Sequence, residues 1–446
     1  MTDMPARRGA LAAFLVVTTL FFAWGFITSL NDPVVTAVKG IFCLTDFRAQ
    51  LSAFAFFIAY GVMSFPAAVL LSRLKSIPTI LIAFAMMIAG CLLMLLAANL
   101  VVYALVLGLF VLAAGITVLQ VAANPLAAAL GDPKGSHFRL TLSQTFNSFG
   151  TFIGPFLGAV LFLKGVEVKE GAALNPAVRA AALAGIDRAY FWICGLLILL
   201  LVFFWFSRKT VADAAPHPAP AKGFVGLIVE AFASKWALFG GLAIFLYVGA
   251  EVAIGSQMAL FLNSNAIWGQ SDLPFTVPLL SHAMGSDGIS GVSLQEAGKA
   301  VAFYWLGAMV GRAVGSALLV KFEAPRLLAF FTAVACAMCL YVFAFGGVSA
   351  GFVALGIGLF NSIMFPVIFT LTLDRSSATE EATSGLLCTA IVGGAFLPVV
   401  VGAVADKMGY VVAFAVPAAC YLVLWAFAIS AGRVVPARET DALVTH

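Results

Sequence analysis

Twelve long apolar stretches divide this 446-residue chain, and very few of them carry a charge near their middle. A helix that crosses a bilayer needs about 20 apolar residues, so twelve use roughly 240 and leave enough chain for connections. The stretches lie near 10–36, 47–71, 78–98, 101–129, 139–163 and 189–207, then near 236–262, 296–320, 326–346, 349–373, 380–403 and 409–432. With 63% hydrophobic and only 10% charged residues, against roughly 25% charged in soluble domains, a single water-surrounded core cannot hide this surface. Lipid can, because it solvates the outer faces of spanning helices. The expected fold is therefore an all-α membrane protein of twelve transmembrane helices.

Residues 208–235 contain Ala-Pro-His-Pro-Ala-Pro and several charges, which no apolar span accommodates. They read as a cytoplasmic linker between a six-helix half at 1–207 and a second at 236–446. Within the linker, residues 218–235 carry the pattern of a short amphipathic helix on the membrane surface. Residues 10–30 form too long an apolar run for a signal peptide and lack a small-residue cleavage site. Fifteen basic residues fall on the side shared by the two termini and eight on the other. That bias puts both termini in the cytoplasm of a cell whose cytoplasmic, or inner, membrane holds the protein.

An internal repeat supports two related halves. Span 4 reads Gly115-Ile-Thr-Val-Leu-Gln120-Val-Ala-Ala-Asn-Pro125, and span 10 reads Gly356-Ile-Gly-Leu-Phe-Asn361-Ser-Ile-Met-Phe-Pro366. Glycine, amide and proline recur at the same spacing. Span 5 has Gly150 and Gly158-Ala-Val, and span 11 has Gly394 and Gly402-Ala-Val. Parallel halves with a substrate site between them describe the major facilitator architecture.

Asp32, Glu251 and Arg312 lie inside apolar runs, where a charge costs several kcal/mol on insertion scales. Coupling ions, substrates and interhelical ion pairs are the usual reasons to keep one. Glu251 and Arg312 have opposite signs, so a structural ion pair is the cheapest explanation; direct substrate contact or coupling is the alternative. A carboxyl buried at Asp32, beside Pro33, takes up a proton more readily than in water, which makes it a candidate proton carrier. The alternative is a carboxylate that bonds freed backbone amides or sits in an outer vestibule.

Other polar residues inside the spans fall on faces. Trp24, Thr28 and Asn31 share one face of span 1; Thr117, Gln120 and Asn124 share one of span 4; Gln144 and Asn147 adjoin in span 5. Gln257 and Asn361 add amides in spans 7 and 10. A single amide can simply bond across a helix interface, but three such stripes favour a shared polar cavity. Amides, hydroxyls and the rings of Trp24 or Trp305 suit a sugar, whose hydroxyls need donors and acceptors and whose C–H face stacks on an aromatic. The basic residues are scattered at helix ends, which does not suggest nucleic-acid binding. Seven cysteines show no metal or disulfide spacing and read as packing residues. With no Walker A loop, nucleophile elbow or Cys/His cluster, neither ATP-driven pumping nor an enzyme is expected, and no cofactor or metal.

The segments Thr117-Val-Leu-Gln-Val-Ala-Ala-Asn-Pro125 and His137-Phe-Arg-Leu-Thr-Leu-Ser-Gln-Thr-Phe-Asn-Ser-Phe-Gly150 resemble the fucose–galactose–glucose:proton symporter family, a branch of the major facilitator superfamily. Tyr247-Val-Gly-Ala-Glu-Val-Ala-Ile-Gly-Ser256, Gly307-Ala-Met-Val-Gly-Arg312 and Gly358-Leu-Phe-Asn-Ser-Ile-Met-Phe-Pro366 strengthen the match, toward the bacterial glucose/galactose transporter branch. The resemblance runs from about residue 14 to 430 and leaves out the outer loops at 164–188 and 263–295. It implies hexose import by proton symport. An acidic residue in the family's first helix carries over as Asp32. A second, in the fourth helix of fucose-transporting members, is Gln120 here, and an amide carries no proton. Coupling therefore rests on Asp32, shifts to Glu251, or uses sodium. An amino sugar such as N-acetylglucosamine, or a sensor that binds sugar without moving it, are the alternatives. The chain is expected to be monomeric in the bilayer.

Overall fold

A computed structural model describes residues 4–29, 46–97, 102–162, 176–215, 222–269, 292 and 294–434. Helices make up nearly all of it, and no strand occurs among the described residues. In chain order they are α1 (Met4–Ser29), α2 (Asp46–Leu74), α3 (Ser76–Ala97), α4 (Val102–Ala129), α5 (Ser136–Phe162), α6 (Pro176–Ala214), α7 (Phe224–Ala233) and α8 (Lys235–Asn263). There follow α9 (Leu294–Leu318), α10 (Ala324–Phe345), α11 (Gly347–Asn361), α12 (Met364–Arg375), α13 (Glu380–Ala390), α14 (Gly393–Met408), α15 (Tyr410–Ala413) and α16 (Ala415–Arg433). Among the described residues, eleven segments are long and apolar enough to cross a membrane. The 27-residue α5 is a further apolar helix, consistent with twelve spans in all. Three spans consist of consecutive helices: α11 with α12, α13 with α14, and α15 with α16.

Proline explains one of these breaks. Pro366 has no N–H, so the carbonyl four residues back, Ser362, loses its helical donor, and Ser362 falls in the gap between α11 and α12. A side chain replaces the donor: Arg312 Nε reaches the Ser362 carbonyl at 2.8 Å. The repeated motif in span 4 is solved the same way without a break. Pro125 frees the Val121 carbonyl, and Ser384 Oγ donates to it at 2.9 Å.

The residues fall into two compact units. The first comprises residues 1–241 with 372–392. Its seams are close: a Cβ on Gly150 would sit 2.5 Å from the Phe22 carbonyl oxygen, so α1 and α5 approach at backbone distance. Asn147 Nδ2 fastens that seam by donating to the Phe21 carbonyl at 3.1 Å. The linker helix α7 belongs to this unit and is apolar on both faces, with Leu227 and Ala231 buried and Phe224, Val225, Val229 and Phe232 exposed. Ahead of it, the Lys222 N–H donates to Ser72 Oγ on α2 at 2.8 Å. Glu230 accepts the Thr379 N–H at 2.9 Å and the Thr379 hydroxyl at 3.2 Å, and pairs with Lys222 Nζ at 2.9 Å. Burial alone would raise the Glu230 pKa, but Lys222 and Thr379 outweigh it and hold the carboxyl below its ordinary range. The strap thus ties α2 to the N-cap of α13, where Thr379 itself caps Ala382.

The second unit comprises residues 242–371 with 393–446. Here α9 packs on α11, and α10 packs on α11 and α16. Gly358 lets α11 touch the Tyr304 backbone of α9, where no Cβ would fit. The rings of Phe245 and Phe396 bring α8 and α14 together at 6.2 Å.

Candidate functional site

In the first unit, α2, α4, α5 and α13 bring polar side chains into one buried region. Gln120 on α4 donates through Nε2 to the Tyr60 hydroxyl on α2 at 2.7 Å. One turn along α4, Asn124 is fully buried, and its Oδ1 accepts Gln144 Nε2 from α5 at 3.5 Å. The Asn124 Nδ2 donor has no hydrogen bond of normal geometry, nor do the Thr28 and Thr141 hydroxyls. A buried amide left without an acceptor costs about 1–3 kcal/mol, so Asn124 gains from a ligand oxygen. Cys388 on α13 lies against the Asn124 amide. Asn147 spends its Nδ2 on the α1 backbone, as above, and Trp24 is buried with its ring 4.2 Å from that of Phe21. Thr117 turns back to bond the Ala113 carbonyl of its own helix. Asn31 and Asp32 lie outside the described residues.

In the second unit, Glu251 on α8 and Arg312 on α9 are each 9% exposed, with Arg312 Nη2 3.5 Å from Glu251 Oε1. A hydrogen-bonded chain runs beside them. Tyr421 Oη on α16 donates to Asn361 Oδ1 at 2.6 Å, Asn361 Nδ2 donates to Tyr304 Oη at 2.7 Å, and Tyr304 Oη reaches the Glu251 carbonyl at 3.2 Å. Both ends of the fully buried Asn361 amide are therefore engaged. The Tyr247 hydroxyl lies beside Glu251 without a hydrogen bond of normal geometry. Gln257 donates to the Pro398 carbonyl at 3.0 Å. Trp305 stands edge-on to Tyr304 at 5.1 Å and fills the space above Gly255.

The structure thus pairs Asn124 with Gln144, and Glu251 with Arg312. It joins Gln120 and Asn361 to tyrosines that sequence reasoning left out: Tyr60, Tyr304 and Tyr421. Ser362 and Ser384 were also missed. A signal existed for the tyrosines, since the chain has 41 Phe and only 8 Tyr. A hydroxyl placed in lipid-spanning sequence where phenylalanine is the habit marks a polar partner nearby.

Comparison with known proteins gives a consistent picture. The sequence profile of the Major Facilitator Superfamily matches residues 10–387. A glucose/galactose transporter of Brucella abortus is 38% identical over 421 residues, covering 94% of each chain. An L-fucose-proton symporter of Escherichia coli is 28% identical, covering 96% of this chain and 94% of the symporter. Among solved structures, the E. coli fucose:proton symporter FucP superposes with a TM-score of 0.79 at 25% identity, covering 96% of this chain and 100% of FucP. The proton:xylose symporter XylE shares the fold, with a TM-score of 0.65 at 12% identity and coverage of 94% and 95%.

Proposed function

Because the chain belongs to the Major Facilitator Superfamily, a family of transporters rather than enzymes, we propose that it imports a hexose of the glucose/galactose class by proton symport. The observation that carries this reading is the buried amide cluster of Gln120, Asn124 and Gln144, which holds a donor without a hydrogen bond of normal geometry, in a chain 38% identical to a glucose/galactose transporter. Such a cluster offers a sugar both donors and acceptors. Asn31, Asn147 and Trp24 extend the sugar site from the first half, and Gln257, Trp305 and Asn361 from the second. Gln257 and Asn361 are hydrogen-bonded in this state, so a sugar contact from either requires that bond to be exchanged.

Asp32 carries the coupling proton, since the fourth helix offers Gln120 where an acid would be needed. Glu251 pairs with Arg312 and is next in line as a proton carrier. The two six-helix halves, 1–207 and 236–446, alternate access around the sugar, with residues 208–235 and both termini in the cytoplasm and the helices in the inner membrane. The transporter acts as a monomer.

Purified protein in proteoliposomes tests the proposal. An inward proton gradient should drive accumulation of glucose or galactose, a protonophore should abolish it, and a sodium gradient should not replace it. Asp32→Asn should lose accumulation and keep exchange between equally loaded sides. Sodium-driven uptake would refute proton coupling, preference for N-acetylglucosamine would refute the substrate class, and binding without accumulation would identify a sensor.

A further inference from the structure

From the α2–α4 contact we infer that Tyr60 is a specificity-determining positioning residue: it holds the Gln120 amide so that its carbonyl oxygen, not its N–H, faces the sugar. The inference rests on the reading that Gln120 belongs to the sugar site.

A glutamine side chain ends in two chemically opposite faces, an acceptor oxygen and a two-proton donor. A flexible one can turn either face to a ligand. In the structure Gln120 adopts one arrangement: Nε2 donates to Tyr60 Oη at 2.7 Å, which engages the donor end and turns the carbonyl oxygen away from the tyrosine. The anchor is itself fixed: Tyr60 is 3% exposed, and its ring packs against Phe56 and Phe57 with centroids 6.1 and 6.5 Å away. The Gln120 carbonyl oxygen has no protein donor among the described residues. One turn along α4, Asn124 has the reverse pattern: its oxygen is occupied by Gln144 and its N–H₂ has no hydrogen bond of normal geometry. Neighbouring amides on one helix face thus offer an acceptor and a donor in a set order. In this arrangement a sugar hydroxyl at Gln120 donates to the free oxygen, and a group that only accepts loses that bond.

Hexoses carrying fluorine in place of one hydroxyl separate donation from acceptance, because fluorine accepts weakly and never donates. Uptake of glucose and its 2-, 3-, 4- and 6-deoxyfluoro analogues would be measured in proteoliposomes for wild type, Gln120→Ala and Tyr60→Phe. Gln120→Ala identifies the ring position at which discrimination against fluorine disappears. At that position wild type should show a KM about tenfold higher for the fluoro sugar than for the parent, the size of one neutral hydrogen bond. Tyr60→Phe should shrink that ratio to about threefold or less, since the released amide can turn an N–H to the fluorine, with discrimination at the other positions unchanged. The ratio is taken within one variant, so loss of folded protein does not alter it.

An unchanged ratio in Tyr60→Phe would show that Tyr60 only packs, overturning the inference and leaving the sugar site intact. If Gln120→Ala changes discrimination at no position, Gln120 does not touch sugar, and the inference falls together with that part of the proposed site.

Discussion

Replacing Arg312 by methionine removes, among its contacts, two whose loss can be sized. The guanidinium faces Glu251 Oε1 at 3.5 Å and the Ser362 carbonyl at 2.8 Å. Opposite charges at that separation attract by about 5 kcal/mol at an effective dielectric near 20, before desolvation is counted. Breaking one partner of such a buried pair costs about 3–5 kcal/mol, because the other charge is stranded. The Ser362 carbonyl, already denied a helical donor by Pro366, adds about 1–3 kcal/mol when left bare. Glu251→Gln is milder: Arg312 keeps its bond to Ser362, and only the charge term is lost. The double variant strands no charge while the carbonyl penalty remains, so it should be more stable than Arg312→Met alone. Adding Pro366→Ala returns a backbone N–H to Ser362 and should lessen the remainder. Half-inactivation temperatures of the detergent-solubilised variants, read by fluorescence-detected size exclusion, give the order. If the double variant loses as much as the two singles together, the residues are not coupled and the pairing argument fails. If Pro366→Ala leaves the Arg312→Met loss unchanged, the carbonyl part fails by itself.

Two further outcomes follow from the fold. The Glu230 carboxylate holds the α7 strap with its pKa below the ordinary 4.5, so its stabilisation is complete above the unfolded value and disappears as pH falls through the lower folded one. Glu230→Gln should therefore lower thermal stability by a constant amount between about pH 6 and 8, with the difference closing below about pH 4.5; a difference that grows on acidification would exclude this role. Gly358→Ala drives a methyl group into the Tyr304 backbone and should cost about 1–3 kcal/mol as overpacking. Gly298→Ala, on α9 with open space around it, should be neutral or stabilising by up to about 1 kcal/mol. Equal melting temperatures for the two would argue against the tight α9–α11 seam.

The spans and the duplicated Gly-amide-Pro motif were legible in the sequence, because each is a local pattern of composition or spacing. The Glu251–Arg312 juxtaposition was also inferable, since a lone buried charge demands an opposite one. Partners that depend on helix packing were not. A polar stripe tells which face of α4 is special but not that Tyr60 stands opposite Gln120, nor that Ser384, more than 250 residues away, lies over Val121. Asn361 shows the same gap from the other side. Its repeat position matches that of Gln120, yet two tyrosines from α9 and α16 occupy its amide, and nothing local to span 10 announces them. Asn31 and Asp32, central to the sequence reading, lie outside the described residues.

The Ser384–Val121 bond also bears on how this sequence can vary. Pro125 creates a need that no residue near it in the chain can meet, and a hydroxyl far along the sequence meets it. The two positions are therefore mutationally linked. While proline stands at 125, position 384 is confined to short side chains that donate, and Ala or Val there leaves a bare carbonyl. Once an ordinary residue at 125 restores the backbone N–H, position 384 is released from that duty. Natural substitutions away from this pair should therefore replace the proline first and the serine second, and a redesign that changes Ser384 alone should be expected to fail.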